Sequence, residues 1–197
     1  MENKKEYRSA IRSRRLIREA FLTLLQEKEL RKITVTDIVK RADINRSTFY
    51  AHYPDVRGVI EEFENEIVEE TIEVLDKMEY RNIFRNPVPF LQSISRSLEK
   101  HQEFYKVLVE SSCVESFTEK IKAVCIQHVK NAPDIPQEIR EAQFMDIRLS
   151  FFIGGILNVY QQWFLGQLEC TLEDISEDIA QIIVKSTADF AETEWMK

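Results

Sequence analysis

Glycine and proline are scarce in this chain, four and five among 197 residues. Both punctuate loops and turns, so their scarcity, with 44% hydrophobic residues, points to a helical globular chain with few loops. The length suits one or two small domains with a real core. Cysteine is also rare: Cys113, Cys125 and Cys170 lie far apart and form no Cys-x-x-Cys pair. That argues against a disulfide framework or a zinc site and for reduced thiols in a cytoplasm. Long apolar runs are missing too. The longest, Phe151 to Leu157, is far short of the roughly 20 residues that span a bilayer. Met1-Glu2-Asn3-Lys4-Lys5-Glu6 has no apolar segment behind it and is not read as a signal peptide. A soluble, cytoplasmic protein with no membrane partner is expected.

Catalytic signatures are absent as well. There is no Ser-His-Asp constellation, nucleophile elbow, Gly-rich phosphate loop or paired-carboxylate motif. His101 and His128 have no carboxylate at metal-ligand spacing. No catalytic residue, metal or cofactor is expected.

Charge is present, but divided unequally. The net charge of −7 would by itself argue against nucleic acid. Residues 1–58, however, hold 14 Lys+Arg against 8 Asp+Glu, a net +6, whereas residues 59–197 carry −13. A basic head on an acidic body suits a DNA-binding module attached to a domain of another kind.

The most informative stretch lies in that head, from Thr34 to Tyr53. Val35, Ile38, Val39 and Ala42 fall at helical spacing. Thr34 with Asp37 three residues later forms a capping box that starts this helix. Asp43 and Ile44 interrupt it, and Asn45 is placed to cap a second helix from Arg46 to about His52. Phe49 and Tyr53 share an inward face, leaving Ser47, Tyr50 and Ala51 outward between Arg46 and Thr48. A short helix with basic, hydroxyl and aromatic groups outward suits the recognition helix of a helix-turn-helix.

Ile33 to Ala42 followed by Ile44 to Tyr53 resembles the N-terminal signature of the TetR (TetR/AcrR) family of bacterial transcriptional regulators, with the likeness running from about Arg12 to Phe63. Family members commonly carry Gly where this chain has Asp43, a residue that tolerates the left-handed conformation. Many carry a Lys-Glu pair where this chain has Arg57-Gly58, and Arg57 retains the charge. The DNA-contact set expected is Thr34, Thr36, Asn45, Arg46, Ser47, Thr48, Tyr50, His52, Tyr53 and Arg57. Thr34 and Thr36 either cap alone or also meet a phosphate, and His52 either packs or reads DNA. Arg12, Arg14, Arg15 and Arg18 form either a solvated face or part of a phosphate-binding arm from Lys4 to Arg15.

Apolar spacing and breaks predict about nine helices, no strand and no repeats. The first runs from about Ser9 to Glu27. A connector extends from the Asp55 cap to about Lys77, with Ile60, Phe63, Ile67, Val74 and Leu75 on its buried side. A loop is expected near Tyr80–Asn86. Helices then cover Pro87–Lys100, Glu103–Ser111 and Val114–Asn131. After Ala132-Pro133-Asp134-Ile135-Pro136, one unbroken helix is expected from Gln137 to Leu165, with Gly166 as its C-cap. A last helix runs from a Thr171–Asp174 capping box to about Glu194, through Ala188 and Phe190. Gly154-Gly155 inside an apolar helix implies close approach by a neighbouring helix, a partner subunit or a ligand.

The resulting expectation is an all-α protein. Residues 1–58 form a three-helix helix-turn-helix domain and residues 59–197 a helical effector-binding and dimerisation domain. The resemblance implies a homodimeric, ligand-responsive regulator, more readily a repressor, released from a pseudo-palindromic double-stranded DNA operator by a small-molecule effector. It places the dimer seam on the last two helices and the effector among the helices after the connector, near Phe63, Ile67, Phe90, Phe117, Phe152 and Trp163. The rival is a coactivator or adaptor whose body docks a partner protein.

Overall fold

Eleven α-helices and one 3-10 turn at Leu30–Lys32 account for the regular structure of the described residues, 2–109 and 114–187 of this computed structural model, with no strand among them. The head comprises α1 (Glu2–Glu27), α2 (Val35–Arg41) and α3 (Arg46–Tyr50). The connector is α4 (Val56–Asp76). The body contains α5 (Tyr80–Arg85), α6 (Val88–Lys100), α7 (Gln102–Val109), α8 (Val114–Asn131), α9 (Gln137–Arg140), α10 (Met145–Phe164) and α11 (Leu172–Ser186).

Three of the four expected N-caps bond where the sequence placed them. Thr34 Oγ1 accepts from the Asp37 amide while the Asp37 carboxylate accepts from the Thr34 amide, at 3.3 and 2.8 Å, and Thr171 and Asp174 repeat this at α11. Asp55 caps α4 by accepting from the Gly58 amide at 2.9 Å. Gly166 adopts φ +69° behind α10, a conformation that suits glycine after a helix end. Asp43 takes the left-handed turn of the helix-turn-helix with φ 51°.

Four boundaries differ from expectation. α1 begins at Glu2, a full two turns earlier than Ser9. Tyr80–Asn86 is not a loop: Tyr80–Arg85 is helical, with the Tyr80 amide donating to Asp134 Oδ2 at 2.7 Å. The Gln137–Leu165 helix is broken, because Phe144 adopts φ 70° and separates α9 from α10. Asn45 occupies the N-cap of α3 without a side-chain cap bond. The two added helices account for eleven where nine were expected. Cys113, the expected Ser111 helix end, and Ala188, Phe190 and Glu194 lie outside the described residues.

The core has two main parts. The larger joins Ile17, Phe21, Ile38, Phe49, Val59, Phe63 and Ile67 of α1 to α4 with Phe104, Leu108, Phe117 and Ile121 of α7 and α8. Phe63 stands at the junction, its ring centroid 5.8 Å from Phe21 and 5.2 Å from Phe104. Head and body therefore share one continuous apolar core. The second part joins Leu91 and Leu98 of α6, Tyr160 of α10, and Ile175, Ile179 and Ile183 of α11. Apolar spacing along each helix places these residues on the buried faces.

Candidate nucleic-acid interface and effector cavity

α2 anchors α3 through Phe49, which is fully buried, so the rest of the short helix is pushed to the surface. Arg46, Ser47 and Tyr50 are exposed, Tyr50 at 53%. An exposed tyrosine held edge-on to Phe49, 5.6 Å between centroids, keeps its ring rigid and available. The Arg46 guanidinium donates to Thr36 Oγ1 and so joins α3 to the start of α2. Thr34, Thr36 and Asn45 are exposed beside it, and Thr48 is half-buried. Together they form one polar face carrying hydroxyl, amide, guanidinium and phenol groups.

Three expected contacts sit differently. Tyr53 is buried behind this face, its hydroxyl on Glu62; burial first, then Glu62, pushes that phenol up to about 12. The His52 ring nitrogen Nε2 lies 2.7 Å from Ser13 Oγ and ties α3 to α1. Arg57 sits 3.2 Å from Glu61 Oε1 and 3.5 Å from Glu64 Oε2. Within the basic cluster of α1, Arg14 meets Glu62 at 2.8 Å. Arg18 binds Glu62 and Glu66 and lies 4.2 Å over the Phe63 ring. Gly58 explains the departure from Lys-Glu: a Cβ there would stand 2.8 Å from Pro54 Cδ.

Glu64 is only 3% exposed and its Oε1 has no hydrogen-bond partner among the described residues. Burial, the leading cause, raises its carboxyl above the ordinary 4.5. An acid raised in the folded state costs stability once ionised. This cost should appear as pH climbs from about 4.5 through the raised value and stay constant above it. Glu64→Gln is therefore expected to melt higher than the parent at pH 8, with the difference vanishing below the ordinary carboxylate range. Calorimetric melting of both proteins across this range checks it.

A partly open cavity of about 260 Å³ lies between α4 and the helices of the body. Phe90, Phe117 and Phe152 line it as expected. Phe63 and Ile67 do not, because both are consumed by the core shared with the head. Trp163 is also outside the lining; its indole donates to the Cys170 carbonyl at 2.8 Å. The sequence reading missed Tyr105, Leu108, Cys125 and Tyr160, which complete the wall with Glu70. The packing of α7 with α8 and α10 turns them toward one volume, a relation that spacing along a single helix does not carry.

Along α10 a different surface emerges. Phe144, Ile147 and Phe151 are 59%, 65% and 71% exposed, and Gly155 follows on the same face. A Cβ at Gly154 or Gly155 would meet nothing within 4 Å, so no neighbouring helix of the described chain explains the glycine pair. Neither glycine lines the cavity. Among the described residues no helix is long and apolar enough to cross a membrane.

An all-helical chain whose head is a capped helix-turn-helix has the architecture of a DNA-binding regulator. Comparison with known proteins makes that class specific. Residues 85–185 match the sequence family described as the transcriptional regulator C-terminal region of the TetR type. This chain belongs to the TetR family of transcriptional regulators. No curated protein matches it by sequence. Among solved structures, a TetR-family transcriptional regulator from Syntrophomonas wolfei superposes with a TM-score of 0.68 at 14% identity, covering 92% of this chain and 97% of that one. The dihydroxyacetone kinase operon activator DhaS gives 0.63 at 18%, covering 90% and 97%. A regulator of the same family from Aquifex aeolicus gives 0.62 at 18%, covering 87% and 97%. At such identities the likeness is one of fold. Regulators of this family bind DNA as dimers.

Proposed function

We propose that the chain is a homodimeric, ligand-responsive regulator whose two α3 helices enter adjacent major grooves of a pseudo-palindromic operator. The observation that carries this reading is the outward face of α3, where Arg46, Ser47 and Tyr50 stand exposed on a rigidly anchored helix. Thr34, Thr36, Thr48 and Arg57 supply phosphate contacts around them, which set register, while Arg46, Ser47 and Tyr50 read base edges. Residues 1–58 act as the DNA-binding part and 59–197 as the effector-binding and dimerising part. The exposed Phe144–Ile147–Phe151–Gly155 stripe of α10, with Ile182 of α11, is the seam between subunits.

The cavity receives the effector. Adjacent residues of α7 link it to the head: Tyr105 lines the cavity while Phe104 stacks on Phe63. A ligand that shifts α7 therefore shifts the core on which α1 and α4 rest. The effect is a population shift, and it requires the ligand to bind the two head spacings unequally. Repression is the proposed sign, because operator occupancy alone suffices for it.

Tyr50→Ala and Arg46→Ala are each expected to weaken specific operator binding by about 1–3 kcal/mol, and affinity should fall steeply with added salt. Fluorescence anisotropy on a selected duplex measures both. Unchanged affinity in both variants would move the DNA contact away from α3.

A further inference from the structure

The wall of the cavity offers an inventory of polar groups from which the chemistry of the ligand follows. Among the described residues Glu70 is its one carboxylate or basic side chain, and that charge is already compensated. Its oxygens take the Lys100 ammonium, His101 Nε2 at 3.0 Å and the Ser97 hydroxyl at 3.3 Å. Burial pushes the Cys125 thiol of the wall up to about 11 and carries the Tyr80 and Tyr105 phenols well above their ordinary value, which keeps these three groups neutral. No uncompensated charge of the described residues faces the volume. An ionised ligand would leave water without meeting a counter-charge, which is strongly unfavourable.

Most hydroxyls of the wall are engaged too. Thr71 donates to the Ile67 carbonyl at 2.8 Å and Thr187 to the Ile183 carbonyl at 2.7 Å. The Tyr80 hydroxyl pairs with His128 Nδ1 at 2.7 Å, and the Tyr160 hydroxyl with Ser95 Oγ at 3.3 Å. The Tyr105 hydroxyl remains without a hydrogen-bond partner among the described residues, as do the Thr118 hydroxyl and the Gln161 carboxamide of the wall, but Tyr105 is the one held in place by aromatic rings. Its ring is fixed between Phe164, stacked at 5.3 Å, and Phe117, edge-on at 6.1 Å. A rigid, neutral, unpaired donor on a largely apolar wall favours an acceptor brought by the ligand.

We infer that the effector is an uncharged, mainly hydrocarbon molecule bearing a hydrogen-bond-accepting oxygen, and that Tyr105 donates to that oxygen. The inference rests on the reading of this cavity as the effector site. Its volume of about 260 Å³ is many times the roughly 10–15 Å³ that a cavity needs to hold one water, so it admits a small organic molecule. Because Phe104 follows directly on α7, the same hydrogen bond would bear on the head.

Isothermal titration of the full chain with four probes tests this: 1-nonanol, nonanoate, nonylammonium and toluene. 1-Nonanol is expected to bind at least about tenfold more tightly than either ion. Tyr105→Phe should weaken 1-nonanol by about 2–10-fold while leaving toluene, which has no acceptor oxygen, within about a factor of two. Equal or tighter binding of either ion would overturn the uncharged class while the cavity remained a ligand site. An unchanged 1-nonanol affinity in Tyr105→Phe, or an equal loss for toluene, would overturn the donor role. Failure of all four to bind the parent protein would overturn the effector-site reading itself, and this inference with it.

Discussion

Replacing Phe151 by Glu is expected to convert the dimer into monomers and to weaken operator binding by about a hundredfold or more. Phe151 is the most exposed large apolar residue of α10, at 71%, with Ile147 and Phe144 along the same face. A stable association should bury roughly 1,200–2,000 Å² or more, with an apolar centre, and the charge would be forced into that centre without a partner. The loss on DNA follows from the dyad. A dimer bound at one half-site presents its second head at millimolar effective concentration, an advantage of about 10²–10⁴ that a monomer forfeits. Sedimentation velocity at micromolar concentration and anisotropy on the same duplex measure the two effects. Gly155→Leu should weaken the dimer too, since the position opens outward and not into the cavity. A dimer unaffected by Phe151→Glu would place the seam elsewhere.

The second large effect concerns the response to ligand. Leu149 lines the cavity near the start of α10, and Leu149→Trp should occupy much of its volume. The variant is expected to hold the operator as the parent does and to lose release by ligand. If the parent's operator affinity falls a thousandfold with ligand, the ligand must distinguish the two states by about 4 kcal/mol. Titrating 1-nonanol into preformed complexes of parent and variant measures the difference. A variant released as readily as the parent would mean that the cavity does not transmit the signal.

The head was legible because its signals are local. A capping box needs only Thr34 and Asp37, and the tolerance of Asp43 for a left-handed turn is a property of one residue. Phe49 declared its inward face through helical spacing, and so did Tyr53. The same spacing that put Tyr53 inward sat uneasily with a DNA contact, and its hydroxyl is engaged by Glu62. The break at Phe144 was hidden, since no glycine or proline marks it. Ile139 packs with Tyr80, Ala132 and Ile135, and apolar spacing continues across the break because two different surfaces happen to share it. The cavity was the least legible part. Periodicity reports that Phe63 and Ile67 are buried, but not against what. That is decided by how α7 crosses α4, α8 and α10, a relation between distant segments.

Selection of duplexes from a random pool by the purified chain, followed by footprinting of the enriched sites, tests the central claim most directly. An inverted repeat should emerge, its half-sites about one helical turn or somewhat further apart, with protection on one face of the duplex and enrichment lost in Arg46→Ala with Tyr50→Ala. A pool that remains random after repeated rounds would contradict operator recognition by this protein.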